Sequence, residues 1–102
     1  MKLLNIGLRR NGEGELSIGS IHATLAANDI HIVRWAEVEE GKSEPTYIGL
    51  VEGASRDRIE RVAMELGQDA IAVYDLKAAK GELIGPKARG WGAFDRQLFQ
   101  VL

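Results

Sequence analysis

The chain contains no cysteine. That excludes a disulfide framework, thiolate nucleophiles and cysteine-ligated zinc, and it suits a reducing compartment such as the cytoplasm, where the protein is expected. Proline is scarce, with two residues, and Trp, Tyr and Phe occur twice each, so neither a proline-rich linker nor an aromatic-rich repeat is present. No apolar run approaches the roughly 20 residues that cross a bilayer as a helix, and no membrane association is expected. The few apolar residues before Arg9 and Arg10 fall short of a signal-peptide core. Histidine is limited to His22 and His31. Two ligands nine residues apart are too few for a structural zinc site, so no metal and no cofactor are expected.

What is present describes an ordinary globular domain. Apolar residues make up 45% and charged residues 27% of 102 positions, a balance able to bury one modest core. The net charge of −2 is unevenly placed. Residues 1–75 carry 8 Lys or Arg against 13 Asp or Glu, net −5, whereas residues 76–102 carry 5 against 2, net +3. Such a dipolar chain can steer a charged partner, although short chains also reach this asymmetry by chance.

The strongest local pattern runs from Ser55 to Tyr74. Ser55 can cap a helix by accepting one of its unpaired amide protons. Ile59, Val62, Ala63 and Leu66 then form one apolar stripe at i, i+3, i+4 and i+7. Gly67 suits the left-handed position that closes a helix. Ala70 to Tyr74 is too short an apolar run for a second helix and reads as a central strand.

The same reading extends across the chain. Leu3 to Leu8 alternates, with Leu4, Ile6 and Leu8 on one face, and predicts a first strand. Arg9 to Glu15 predicts a glycine-permitted loop, and Ser17 caps a helix from about Ile18 to Asn28 with Ile18, Ile21 and Leu25 inward. Ile30 to Val38 predicts a strand with His31, Val33 and Trp35 on one face and Ile30, Ile32 and Ala36 on the other. A charged turn leads to a third strand, Thr46 to Val51. The order βαββαβ over residues 1–75 predicts an α+β fold, the ferredoxin-like sandwich of an antiparallel sheet with two helices on one face. Residues 76–102 are expected as an extension packed on that core, within a single domain. It comprises a turn, a strand near Gly81 to Gly85 pairing back as a hairpin, an irregular loop, and a turn at Asp95 to Gln97 before a short final strand.

Each candidate for chemistry has an ordinary reading beside it. The loop of Arg9, Arg10, Gly12 and Gly14 could hold phosphate on backbone amides, yet Glu13 and Glu15 repel an anion and no dinucleotide or Walker spacing is present. Glu37, Glu39, Glu40 and Glu44 could do acid–base work if buried, but a hairpin punctuated by Gly41 and Pro45 should leave them solvated. Such an acidic turn could also imitate a nucleic-acid backbone to a basic partner. His22 is expected on a helix flank and His31 on a strand face. The tail interleaves Lys87, Arg89 and Arg96 with Trp91 and Phe94, a pattern able to stack bases and neutralise phosphates. A tryptophan between Gly90 and Gly92 also folds back readily as a plug over a core edge.

The spacing GQDAIAVYD, then GELIGP and WGAFDRQLF, resembles small uncharacterised proteins of bacteria and their phages. The resemblance covers roughly Glu44 to the C-terminus and carries over no catalytic residue. It implies a compact accessory protein of a mobile element. With no catalytic constellation, the sequence favours a non-enzymatic protein-binding module, of the kind that regulates or inhibits a host protein, with Lys87, Arg89, Trp91, Phe94 and Arg96 as contact residues. A homodimer is compatible with that reading. The alternatives are a single-stranded nucleic-acid binder using the tail, and a small ligand-binding domain or enzyme with a pocket between sheet and tail.

Overall fold

In the computed structural model, residues 1–10, 14–38 and 45–87 are described. Alternation sets the first strand, β1 (Lys2–Gly7), which buries Leu4 and Ile6 on one face. Two short segments follow, β2 (Arg9–Arg10) and β3 (Gly14–Glu15), paired antiparallel with Arg9 opposite Glu15, so the ends of the stretch expected as loop are strand instead. Helix α1 (Ile18–Ala27) starts as its sequence directs: the Ser17 hydroxyl accepts from the Ser20 amide at 3.1 Å. Ile21 and Leu25 are buried, and Ile18 packs against the same cluster.

Strands β4 (His31–Val38) and β5 (Thr46–Glu52) form an antiparallel pair, followed by helix α2 (Arg56–Glu65), strand β6 (Ile71–Asp75) and strand β7 (Lys80–Ile84). The fold is α+β: a five-stranded antiparallel sheet in the order β4-β5-β1-β6-β7 with two helices placed between strands. The run at Ala70 to Tyr74 thus supplies an interior strand, with β1 at the centre. The hairpin expected after Asp75 is β7, paired from Lys80↔Asp75 to Ile84↔Ile71.

The capped helix behaves as its pattern requires. The Ser55 hydroxyl faces the Arg58 amide at 3.4 Å, and Ile59, Val62, Ala63 and Leu66 are all buried. At its end the Gln68 amide donates to the Ala63 carbonyl at 2.8 Å and the Gly67 amide to that of Met64 at 3.2 Å. This paired closure needs a left-handed residue, and Gly67 has φ +67°. Asn28, buried at the end of α1, is satisfied by donating to the Thr24 carbonyl and to Glu65, which ties the two helices together.

One cluster holds the inward residues of both helices together with Leu4, Ile6, Tyr47, Val51 and Val73 of the sheet. Each large side chain fully buried there contributes about 1.5–3 kcal/mol of transfer free energy.

The faces of β4 differ from the alternation expected. The register slips between Ile32 and Arg34, so that Ile32 lies opposite Val51 and Trp35 opposite Gly49. One extra residue at Val33 shifts the parity of everything beyond it. Trp35 therefore shares the helix-facing side with Ile32 and Tyr47, while Ala36 sits opposite Ile48 on the reverse side.

Candidate functional site: an aromatic cluster at the sheet edge

The bulge has a chemical consequence. By turning Trp35 to the helix side it brings three rings together where α1 crosses the β4–β5 edge. His22, on the sheet-facing flank of α1, lies edge-on to Trp35 with centroids 4.9 Å apart, and edge-on to Tyr47 at 5.4 Å. Trp35 and Tyr47 stack at 5.9 Å with an interplanar angle of 17°. All three separations fall in the range where aromatic pairs attract beyond their area burial.

Gly49 makes room for this arrangement. A β-carbon there would stand 2.8 Å from the Tyr47 ring, so any side chain would displace the tyrosine. A glycine inside a strand often marks such a close approach. It is the signal in the sequence that could have located the cluster, whereas simple alternation grouped Trp35 with His31.

Tyr47 is 0% exposed, and its hydroxyl meets His22 Nε2 at 3.0 Å. Burial pushes its pKa up to about 12, because the phenolate would lose hydration that one imidazole does not replace. The residue is thus a neutral hydroxyl satisfied by an imidazole. It is not poised as a nucleophile or general base at neutral pH. The outer layer is different: Trp35 and Val33 are each 46% exposed, on the terminal strand of the sheet.

The histidines are separated. His31 is exposed at the start of β4 opposite Glu52, away from His22. Among the described residues no three His, Cys, Asp or Glu side chains gather as a metal site. Glu37 is exposed on β4 in register with Tyr47, while Glu39, Glu40 and Glu44 lie outside the described residues. Of the proposed contact residues, Lys87 is exposed: its amide donates to the Asp69 carbonyl at 2.9 Å and its ammonium lies 3.8 Å from the Asp69 carboxylate. Arg89, Trp91, Phe94 and Arg96 lie outside the described residues, as does the turn and strand expected from Asp95 onward.

Among the described residues no helix is long and apolar enough to cross a membrane. Compared with family models, curated proteins and solved structures, the chain matches none.

Proposed function

We propose that this chain is a non-enzymatic protein-binding module whose contact surface is the outer edge of β4. The carrying observation is the pair Val33 and Trp35, each 46% exposed on a terminal strand of eight residues. A free edge offers a ladder of backbone donors and acceptors to an extended segment, and large apolar side chains beside it anchor what pairs there. Trp35 is held by stacking on a buried tyrosine, so it loses little freedom when a partner covers it.

The element order and the run of neighbours β6-β1-β5-β4, with both helices in one cluster, support the ferredoxin-like arrangement, to which β7 adds a fifth strand. That the module is a cytoplasmic regulator or inhibitor of a host protein rests on the sequence resemblance of residues 44–102 alone, since no comparison with known proteins returns a match. The nucleic-acid reading draws less from the described residues, since the sheet face turned away from the helices offers Tyr74 as its one aromatic ring.

The test is quantitative affinity capture with wild-type protein and a Val33→Lys bait. Val33 is exposed at the bulge, so the substitution should leave stability within about 0.5 kcal/mol. Proteins enriched by the wild type should be lost by tenfold or more with the variant, as for an interface anchor worth about 1.4 kcal/mol. Identical captured sets would refute the edge as the contact surface. Salt-sensitive capture of single-stranded oligonucleotides by both baits would instead support the alternative.

A further inference from the structure

Among the described strands β4 has one neighbour, β5, so its outer edge is where an extended segment can pair. What that segment must carry is set by the side chains flanking the edge, which alternate regularly beyond the bulge. Trp35 and Glu37 stand on the helix side, opposite Gly49 and Tyr47 of β5. Arg34, Ala36 and Val38 stand on the reverse side, opposite Leu50, Ile48 and Thr46. Arg34, Trp35 and Glu37 are exposed, while Ala36 and Val38 are half-buried. The ion pairs among the described residues are Arg56–Glu82 and Lys87–Asp69, and neither involves Arg34 or Glu37. Each face of the edge therefore presents one charge: an arginine on the reverse side and a carboxylate on the helix side.

This placement argues against a second copy of the chain as the occupant. Residues opposed across two paired strands share a face, because their side chains alternate in step. Arg34 and Glu37 lie on opposite faces, so they never oppose each other in an antiparallel pair about a two-fold axis. With the axis at Ala36, Glu37 meets Trp35 of the copy and Arg34 meets Val38. With the axis at Trp35, Arg34 meets Ala36. An axis at Arg34 or Glu37 sets like charges face to face, which is destabilising. Every such register leaves both charges without a counter-charge, whereas a segment of different sequence can answer each of them.

We propose that the β4 edge takes an extended segment of another protein, antiparallel to β4, with an acidic residue opposite Arg34, a basic residue opposite Glu37 and apolar residues opposite Trp35, Ala36 and Val38. This rests on the β4 edge being the contact surface and adds the chemistry of the partner. From the end opposite Val38, the segment runs apolar, basic, apolar, apolar, acidic. Its direction follows the sheet, in which every strand pair is antiparallel, the more stable pairing per residue. Ladder hydrogen bonds supply affinity whatever the sequence, and the side chains on the two faces supply selection. An aromatic residue opposite Trp35 gains a cross-strand ring contact as well.

The test titrates the native, amide-labelled chain with three end-capped peptides and follows its backbone resonances. The first contains Val-Lys-Val-Phe-Glu, the second exchanges its charges as Val-Glu-Val-Phe-Lys, and the third reverses the first as Glu-Phe-Val-Lys-Val. The first should shift the β4 amides and bind about tenfold more tightly than the second, in which two attractive pairs become two repulsive ones. A variant carrying Arg34→Glu and Glu37→Arg, both at exposed positions, should invert that preference. Equal binding of the first two peptides at β4 would overturn the charge pattern and leave the edge as the contact surface. Tighter binding of the third would overturn the antiparallel direction. Shifts that map away from β4 would overturn the edge itself. No shift with any peptide at about millimolar concentration would overturn the proposed segment. Concentration-dependent shifts of the β4 amides without peptide would overturn it in favour of a second copy. Because the wild-type preference decides, a variant that fails to fold does not blunt the test.

Discussion

Replacing Tyr47 by phenylalanine removes one oxygen and keeps the ring that stacks on Trp35. At pH 8 the loss is the hydrogen bond to His22 at 3.0 Å, about 0.5–1.5 kcal/mol, with water able to reach the half-buried imidazole. Raising the pH should reverse the balance. Burial lifts the Tyr47 pKa from its ordinary 10.0 to about 12, so between those values the unfolded chain gives up a proton that the folded chain keeps. Stability conferred on the neutral phenol is therefore complete below pH 10 and falls as pH rises toward 12. At about 1.4 kcal/mol per unit, the wild type loses at most about 2 kcal/mol through this residue by pH 11.5. Proximity to the half-exposed Trp35 rim brings the expected loss nearer 1 kcal/mol. Phenylalanine has no such slope. Urea unfolding of both proteins from pH 8 to 11.5 should show the variant less stable by about 1 kcal/mol at the start and level with the wild type at the end. A difference that stays constant across the range would mean that the hydroxyl titrates as if in water, and the buried His22–Tyr47 pair would be wrong.

Three further outcomes are expected. Leu66→Ala, at a residue 2% exposed against the sheet, should cost about 2–5 kcal/mol, measured by the same unfolding assay; a loss below half a kilocalorie would place the stripe in solvent. Gly19→Ala should stabilise by about 0.5–1 kcal/mol, since the added carbon meets only the Ser17 hydroxyl at 4.0 Å on an exposed helical turn; a loss of stability would reveal a hidden contact there. The Ala78 amide, then that of Lys77, donates to the Asp75 carboxylate and holds its pKa below the ordinary value against partial desolvation, so its stabilising effect is present above pH 4 and lost as pH falls through the lowered value. Asp75→Asn should flatten the acid limb of the stability profile, and an unchanged limb would remove the turn from the account.

Periodicity made α2 legible through its one buried stripe, and a short unbroken apolar run made β6 legible as a strand packed on both faces. The stripe from Ile59 to Leu66, the cap at Ser55 and the stop at Gly67 agree with one another, and the structure follows all three. The β4 faces were not legible in this way. A bulge is a tertiary accommodation of strand twist, and nothing in IHIVRWAEV marks which residue will be extra. Two of the three ring contacts were hidden with it, since His22 and Tyr47 meet Trp35 only after the parity shift. The burial of Leu3 was missed because alternation through Leu4, Ile6 and Leu8 assigns Leu3 to the solvent side, where a sheet covered on one face would leave it.

The two ends of the sheet are treated differently, and the contrast bears on where a partner can add. An unpaired edge invites another strand, and proteins blunt it with short length, charge or proline. The β7 end has these devices: five residues, with Lys80 and Glu82 exposed, Arg56 paired to Glu82 across it, and Pro86 just beyond. The β4 end is eight residues long and shows Val33 and Trp35 to solvent, with Arg34 and Glu37 as its charges. Besides these charges, the described residues protect it with the bulge, which interrupts the ladder between Ile32 and Arg34. A strand added to β4 would therefore gain regular pairing only along Arg34 to Val38, with Trp35 and the adjoining Val33 as its two apolar anchors. That geometry accepts a short extended segment of about five residues and disfavours a long unbroken ladder, which is what separates a selective docking edge from one prone to open-ended aggregation.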